Sequence, residues 1–240
     1  MTQIEFDFSN PLPDWAKKLA VFDLETTGLD LREARIVTAC VMLLDETGEI
    51  TEGQEWLANP EIEIPAAASA VHGITTELAI ANGRNAREVT AEIIDRLRSC
   101  FDAGIPVVAY NAPYDFTILH FEALRHGLAP IANPAPVIDP LVIDKFKDPY
   151  RSGKRRLENA AQFYSIPLEN AHNSTADAVA AGRVAQAIAK RWAEELAVDA
   201  SELHRLQIDW SDANDASFES YMRRVKDPEF TVVRGWPRKL

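Results

Sequence analysis

The stretch "KLAVFDLETTGLD", residues 18–30, decides how the chain is read. The run Leu19-Ala20-Val21-Phe22 has the composition of a buried strand, and Asp23 and Glu25 then follow on either side of Leu24. Strand side chains alternate between faces, so the two carboxylates project to one side, about 7 Å apart along the chain. Like charges held at the end of an apolar strand repel each other and resist burial. Two explanations offset that cost. The strand runs out of the sheet into water, or a bound cation neutralises the pair. The second requires further acids from elsewhere in the chain.

Outward from this strand, "RIVTACVMLL" (35–44) and "EITEGQEWLA" (49–58) read as two further strands, with the turn residues "DETG" between them. So short a loop predicts an antiparallel hairpin, and with the first strand a meander. "NPEIEIPAAASAVHGIT" reads as a loop with short helical pieces. Val89, Ile93, Ile94, Leu97 and Phe101 have helical spacing within 85–104, and Gly104 ends that helix. A short buried strand at 105–111, a helix at 114–127 and a fifth strand at 136–139 follow. "DPLVIDKFK" and "KRRLENAAQFYSI" are helical, and 174–196 is a long Ala-rich helix. The expected fold is α/β: a mixed five-stranded sheet, antiparallel meander then parallel strands, flanked by helices. Residues 1–17 form an irregular lead-in, 18–196 the main domain, and 197–240 a C-terminal helical extension.

Two more acids stand at the edges of apolar elements. Asp115 lies in "VVAYNAPYDFTILHF", in the first turn of a helix that follows a buried strand. By itself it is a carboxylate favoured by the helix dipole, although loops at the carboxyl ends of strands are also where α/β proteins assemble sites. Asp177 lies in "AHNSTADAVA" (171–180), where Ser174-x-x-Asp177 fits a capping box. Taken singly, each acid has a structural explanation. Taken together, Asp23, Glu25, Asp115 and Asp177, with no cysteine among them, make a hard oxygen-rich set suited to Mg²⁺ or Mn²⁺. Bound cations would remove the repulsion within the pair, and their target should be phosphate.

At these residues the sequence resembles the DnaQ-like 3′→5′ exonucleases, the DEDD group that includes proofreading subunits of bacterial DNA polymerases. "FDLETTG" is similar to the first motif of that family, "NAPYDFTILHFE" to the second and "HNSTADA" to the third. His172, five positions before Asp177, matches the histidine subgroup (DEDDh). The motifs occur in family order over roughly residues 18–192. The second motif carries Tyr114 where many relatives have Phe before the Asp.

The resemblance implies a ribonuclease H-like fold and metal-dependent 3′→5′ hydrolysis of terminal phosphodiesters in single-stranded DNA. Nucleoside 5′-monophosphates are released, in proofreading or repair. It implies two divalent cations, Mg²⁺ or Mn²⁺, held by Asp23, Glu25, Asp115 and Asp177, with His172 taking the proton of the attacking water. Asp23 would bridge both ions. The loop "VHGIT" also resembles a family element, which sets Val71 and His72 against the terminal nucleotide and Thr26 near its 3′ end. His120, His126 and His204 fall on helices and read as structural or exposed.

Composition is consistent with this reading. The net charge of −12 argues against generic nucleic-acid binding, but not against a nuclease whose positive charge is supplied by cations. Lys145, Lys147, Arg151, Lys154, Arg155 and Arg156, with Tyr150 among them, either hold a strand or form a solvated charge run. Cys40 and Cys100 are far apart and read as buried thiols of a reducing compartment. The opening residues do not form a signal peptide and no apolar run approaches the ~20 residues of a membrane span, so a cytoplasmic location is expected. Two rival functions stay open: an exoribonuclease trimming RNA ends, and a silent nucleic-acid-binding or polymerase-associated scaffold. In the extension, Trp210, Phe218, Tyr221 and Trp236 are candidate anchors for a polymerase subunit, against a helical cap on the protein's own surface.

Overall fold

The computed structural model describes residues 11–168 and 173–240. Strands β1 (Leu19–Thr26), β2 (Ile36–Leu44) and β3 (Ile50–Asn59) form the expected antiparallel meander. Three two-residue strands extend it in parallel: β4 (Arg84–Asn85) beside β3, β5 (Val107–Val108) beside β1, and β6 (Val137–Ile138) beside β5. The sheet is therefore six-stranded, in the order β4-β3-β2-β1-β5-β6, one strand more than expected. The added strand is β4. Two polar residues in "NGRN" carry no periodicity, and they pair only because the chain passes the edge of β3 on its way into the next helix.

Eight α-helices accompany the sheet: α1 (Ala66–His72), α2 (Thr76–Asn82), α3 (Ala86–Asp102), α4 (Pro113–Arg125), α5 (Pro140–Lys147), α6 (Leu157–Phe163), α7 (Ser174–Arg191) and α8 (Ala200–Val225), counted among the described residues. Alternation along β1 splits the core in two. Ala20, Phe22 and Leu24 face α3 and α4, meeting Ile93, Leu97 and Phe116. Leu19 and Val21 face α7, meeting Val184 and Ile188. Burial on both faces is why the strand is apolar without a break. Asp23 and Glu25 continue the odd-numbered row, which puts them on the α7 side. There, Gly182 lets α7 approach closely, since a Cβ at this position would stand 2.5 Å from Val21 Cγ1 and 2.6 Å from Leu44 Cδ1.

The first half of α8 closes the β6 edge with side chains in place of a seventh strand. Val137 N–H donates to His204 Nδ1 at 3.0 Å, Gln207 Nε2 donates to the Val137 carbonyl at 3.1 Å, and Asp139 N–H donates to Gln207 Oε1 at 2.7 Å. Trp210 stacks on Phe146 with centroids 4.2 Å apart, and Trp236 is buried. Two of the four candidate anchors are thus engaged within the chain, while Phe218 and Tyr221 stay half exposed. The basic run is also largely internal. Arg151 and Arg155 both pair with the fully buried Asp144, which also accepts from Tyr164 Oη at 2.8 Å. Of its six basic residues, Lys154 and Arg156 are exposed, and so is Tyr150.

Candidate active site

The β1 strand delivers Asp23 and Glu25, and α7 delivers Asp177 from its first turn. The start of that helix is fixed three times. Asn173, rather than Ser174, is its N-cap, accepting from Thr175 N–H and Ala176 N–H at 3.1 Å each. The Cys40 thiol donates to the Ser174 carbonyl at 3.1 Å from β2, opposite Asp23 in register. Thr175 Oγ1 also donates to the Glu55 carboxylate of β3. With α7 so placed, carboxylate oxygens of Asp23, Glu25 and Asp177 lie within 4.8 Å of one another.

Asp115 comes from α4 on the other side. Because β5 leaves the sheet after Val108, Leu24 N–H has no strand partner there, and Asp115 Oδ1 accepts it at 3.1 Å. The α4 N-terminus is held by Asp139, whose carboxylate accepts Asn111 N–H and Ala112 N–H at 3.0 Å each. Asn111 adopts a left-handed φ of 66°, so that both amides face one anion.

Electrostatics follow from this crowding. Burial, then the charges of Asp115, Glu25 and Asp177, push the Asp23 pKa well above the usual carboxylate range. Burial and Asp177 push Glu25 up to about 7. Asp115 is likewise raised, chiefly by burial, with the Leu24 amide opposing. Among the described residues no salt bridge neutralises Asp23, Glu25 or Asp115. Oxygen donors alone, converging and short of positive charge, fit a hard divalent cation and not a soft metal.

Beside the carboxylates lies a cavity of about 450 Å³ lined by Thr26, Gly28, Leu29, Val71, His72 and Tyr114, with Glu25 at its edge. Val71 and His72 end α1, where Gly73 turns the chain with φ 78°. His72 Nδ1 accepts Ile74 N–H at 3.2 Å, and burial holds the ring pKa below its ordinary value. Tyr114 Oη lies 2.6 Å from Thr26 Oγ1, and both hydroxyls reach the Gly28 carbonyl, at 2.9 and 2.8 Å. The structure thus brings Thr26, Val71 and His72 to one cavity. His172 lies outside the described residues. Among the other histidines, His126 pairs with the buried Glu122 at 2.8 Å, His204 seals β6, and His120 meets Arg238 at 3.2 Å.

The exonuclease family model described for RNase T matches residues 20–185, a span that contains all four acids and the cavity. The chain belongs to the exonuclease family. That membership places it with the DnaQ-like 3′→5′ exonucleases. Among relatives, the PolC-type DNA polymerase III of Streptococcus sanguinis is 31% identical over 195 residues, covering 81% of this chain and 12% of the polymerase. That of Lacticaseibacillus paracasei is 25% identical over 193 residues, 80% of this chain and 13% of the polymerase. The exonuclease therefore spans about an eighth of the length of the polymerases it matches. Exonuclease I of E. coli, solved with a dT13 oligonucleotide, shares the fold with a TM-score of 0.62 at 20% identity, over 75% of this chain and 42% of that one.

Three features of the site escaped sequence reasoning. Leu29 and the Tyr114 hydroxyl complete the cavity, and only the Tyr-for-Phe departure hinted at the second. Asp139 ends an apolar strand as Asp23 does, so the signal that exposed one was present for the other.

Proposed function

We propose that this exonuclease removes nucleotides from the 3′ end of single-stranded DNA by hydrolysing the terminal phosphodiester, with release of nucleoside 5′-monophosphates. The observation that carries the reading is the meeting of Asp23, Glu25 and Asp177 oxygens within 4.8 Å at the end of a buried strand. Asp23, Glu25, Asp115 and Asp177 would hold two divalent cations, Mg²⁺ or Mn²⁺. When bound, such ions make water a stronger acid and offset charge on the phosphate.

The protein's own groups divide the remaining tasks. Thr26, Val71 and His72 hold the terminal nucleotide in the cavity, where the exposed Leu29 and Val71 offer apolar surface to a base. His72 is kept neutral by burial and hydrogen-bonds without adding charge. His172 would accept the proton of the attacking water, a task that imidazole side chains are suited to near neutral pH. The likeness to PolC-type polymerases supports a place in replication or repair, at ends that a polymerase has left or must extend. No helix among the described residues is long and apolar enough to cross a membrane, and a cytoplasmic site of action agrees with the buried free thiols Cys40 and Cys100.

The test is a time course on DNA and RNA strands labelled at the 3′ or the 5′ end, with Mg²⁺, with Mn²⁺ and with chelator. Immediate release of the 3′ label as a mononucleotide, from DNA in preference to RNA and only with added cation, is expected. Cleavage that resists chelation, or that starts from the 5′ end, contradicts the proposal.

A further inference from the structure

We propose that the C-terminal residues 236–239 form a brace that positions Asp115, so that cation capture at the carboxylate cluster depends on a segment outside the family-matched region. This rests on reading Asp115 as one of the cation-holding carboxylates. The family match ends at residue 185, so the contacts made by the tail belong to this chain's own extension.

The contacts converge on the α4 helix. Trp236 Nε1 donates to Asp139 Oδ2 at 3.3 Å, the same oxygen that accepts Ala112 N–H. Asp139 is 1% exposed, and Trp236 is its one side-chain donor among the described residues. The three amides it accepts are those of Asn111, Ala112 and Leu141. Two of these open α4, four and three residues before Asp115. Ala112 provides no side-chain cap, so the helix start is defined by this buried anion and its partners. Two residues further on, Arg238 reaches His120 Nδ1 at 3.2 Å and the carbonyls of Ile131 and Ala132. Lys239 N–H donates to Thr117 Oγ1 at 2.9 Å, and its ammonium lies 3.4 Å from Asp215 of α8. The tail therefore touches α4 at Thr117 and His120, one helical turn apart, and at its N-terminus through Asp139. The opposite side of α4's first turn is tied to the end of β1 by Tyr114 and by Asp115 itself.

A buried anion needs its full set of donors to stay fixed, and an outer partner that orients a ligand tunes the affinity of the ion it holds. Removal of the indole N–H leaves Asp139 with one donor fewer and α4 free to rotate its first turn. Asp115 then meets the other carboxylates less often in the arrangement that a cation requires.

The experiment measures Mn²⁺ binding to the full chain without substrate, from the free-ion paramagnetic resonance signal, together with the melting temperature in chelator. Trp236→Phe keeps an aromatic ring, smaller than the indole, and deletes the N–H; Trp15→Phe makes the same change of size. Arg238→Met deletes the second tie. Trp15→Phe is the matched control, because Trp15 Nε1 donates to the Leu196 carbonyl at 3.0 Å in the other core. Asp23→Asn reports on the cluster. The expected result is Mn²⁺ affinity weakened about three- to tenfold in Trp236→Phe and in Arg238→Met, with Trp15→Phe at the wild-type value at a comparable loss of melting temperature. Wild-type affinity in both tail variants, or an equal fall in the control, overturns the brace while leaving the cluster intact. Wild-type protein that binds no Mn²⁺, or Asp23→Asn that binds it as well, overturns the site reading and the brace together.

Discussion

The carboxylate of Asp115 accepts the amide of Leu24 at 3.1 Å, so one candidate cation-holder is hydrogen-bonded to the residue that separates two others. The bond has a structural role and the charge a functional one, and substitution separates them. Asp115→Asn keeps an acceptor for Leu24 while removing a charge from a crowded cluster. It is expected to unfold in chelator at a urea concentration no lower than wild type while losing nuclease activity. Asp115→Ala leaves a buried amide unpaired, at a cost of about 1–3 kcal/mol. Equal stability of the two variants would show that the bond contributes nothing.

The raised carboxylate pKa values predict an unusual dependence of stability on pH. Glu25 is pushed from 4.5 up to about 7, and Asp23 and Asp115 are raised as well. The folded chain therefore holds these protons more tightly than the unfolded chain. Their contribution is fully present below the unfolded values and is lost as pH rises through the folded ones. In chelator the melting temperature should fall between about pH 5 and pH 8, and Asp23→Asn should flatten that fall. Mn²⁺ binds the deprotonated set, so its stabilising effect should be larger near pH 8 than near pH 6. Calorimetry across this range decides the matter. A melting temperature that climbs with pH in chelator would contradict the charge arrangement.

What was legible in the sequence was whatever had a period or a place at the end of an apolar run. The meander and α3 announced themselves through spacing, and the four acids through their position after buried elements. What was hidden depends on contacts between segments distant in the chain. The β4 pair has no pattern of its own, and the role of Arg151 and Arg155 follows from Asp144 being buried beneath them. Ser174 looked like a cap because Ser and Asp at that spacing close many helices. Asn173, one residue earlier, takes the cap by accepting the amides of Thr175 and Ala176. Tyr114 could be read as a mild exchange for Phe, since the oxygens that give its hydroxyl a purpose lie on β1 and the turn after it.

The close approach of α7 to the sheet makes the buried Gly182 a sensitive position. A methyl there would overlap Val21 and Leu44, and the helix that carries Asp177 would have to move outward. Overpacking of this kind costs about 1–3 kcal/mol. Gly182→Ala is therefore expected to lower stability by that amount and also to lower Mn²⁺ affinity, because Asp177 retreats from Asp23. Gly104→Ala is a useful comparison: it has open space around it but a φ of 68°, so it costs backbone strain without displacing α7. Loss of Mn²⁺ affinity in both variants would point to general destabilisation.

Two hydroxyls and one carbonyl form a closed triangle at the mouth of the cavity: Thr26 Oγ1, Tyr114 Oη and the Gly28 oxygen, with edges of 2.6, 2.8 and 2.9 Å. The hydroxyls own two protons for three contacts. Both hydroxyls have an acceptor within the triangle, so neither proton has to point into the cavity. The triangle ties the turn after β1 to α4. Burial pushes the Tyr114 phenol up to about 12, so it stays protonated throughout the working range. Tyr114→Phe frees the turn and removes one oxygen while Asp115 keeps its bond to Leu24. Stability should fall by about 1 kcal/mol. Because the turn lines the cavity and carries none of the acids, KM for a single-stranded end should rise severalfold while kcat changes little. A kcat that collapses with KM unchanged would assign the hydroxyl to the chemical step and not to holding the nucleotide.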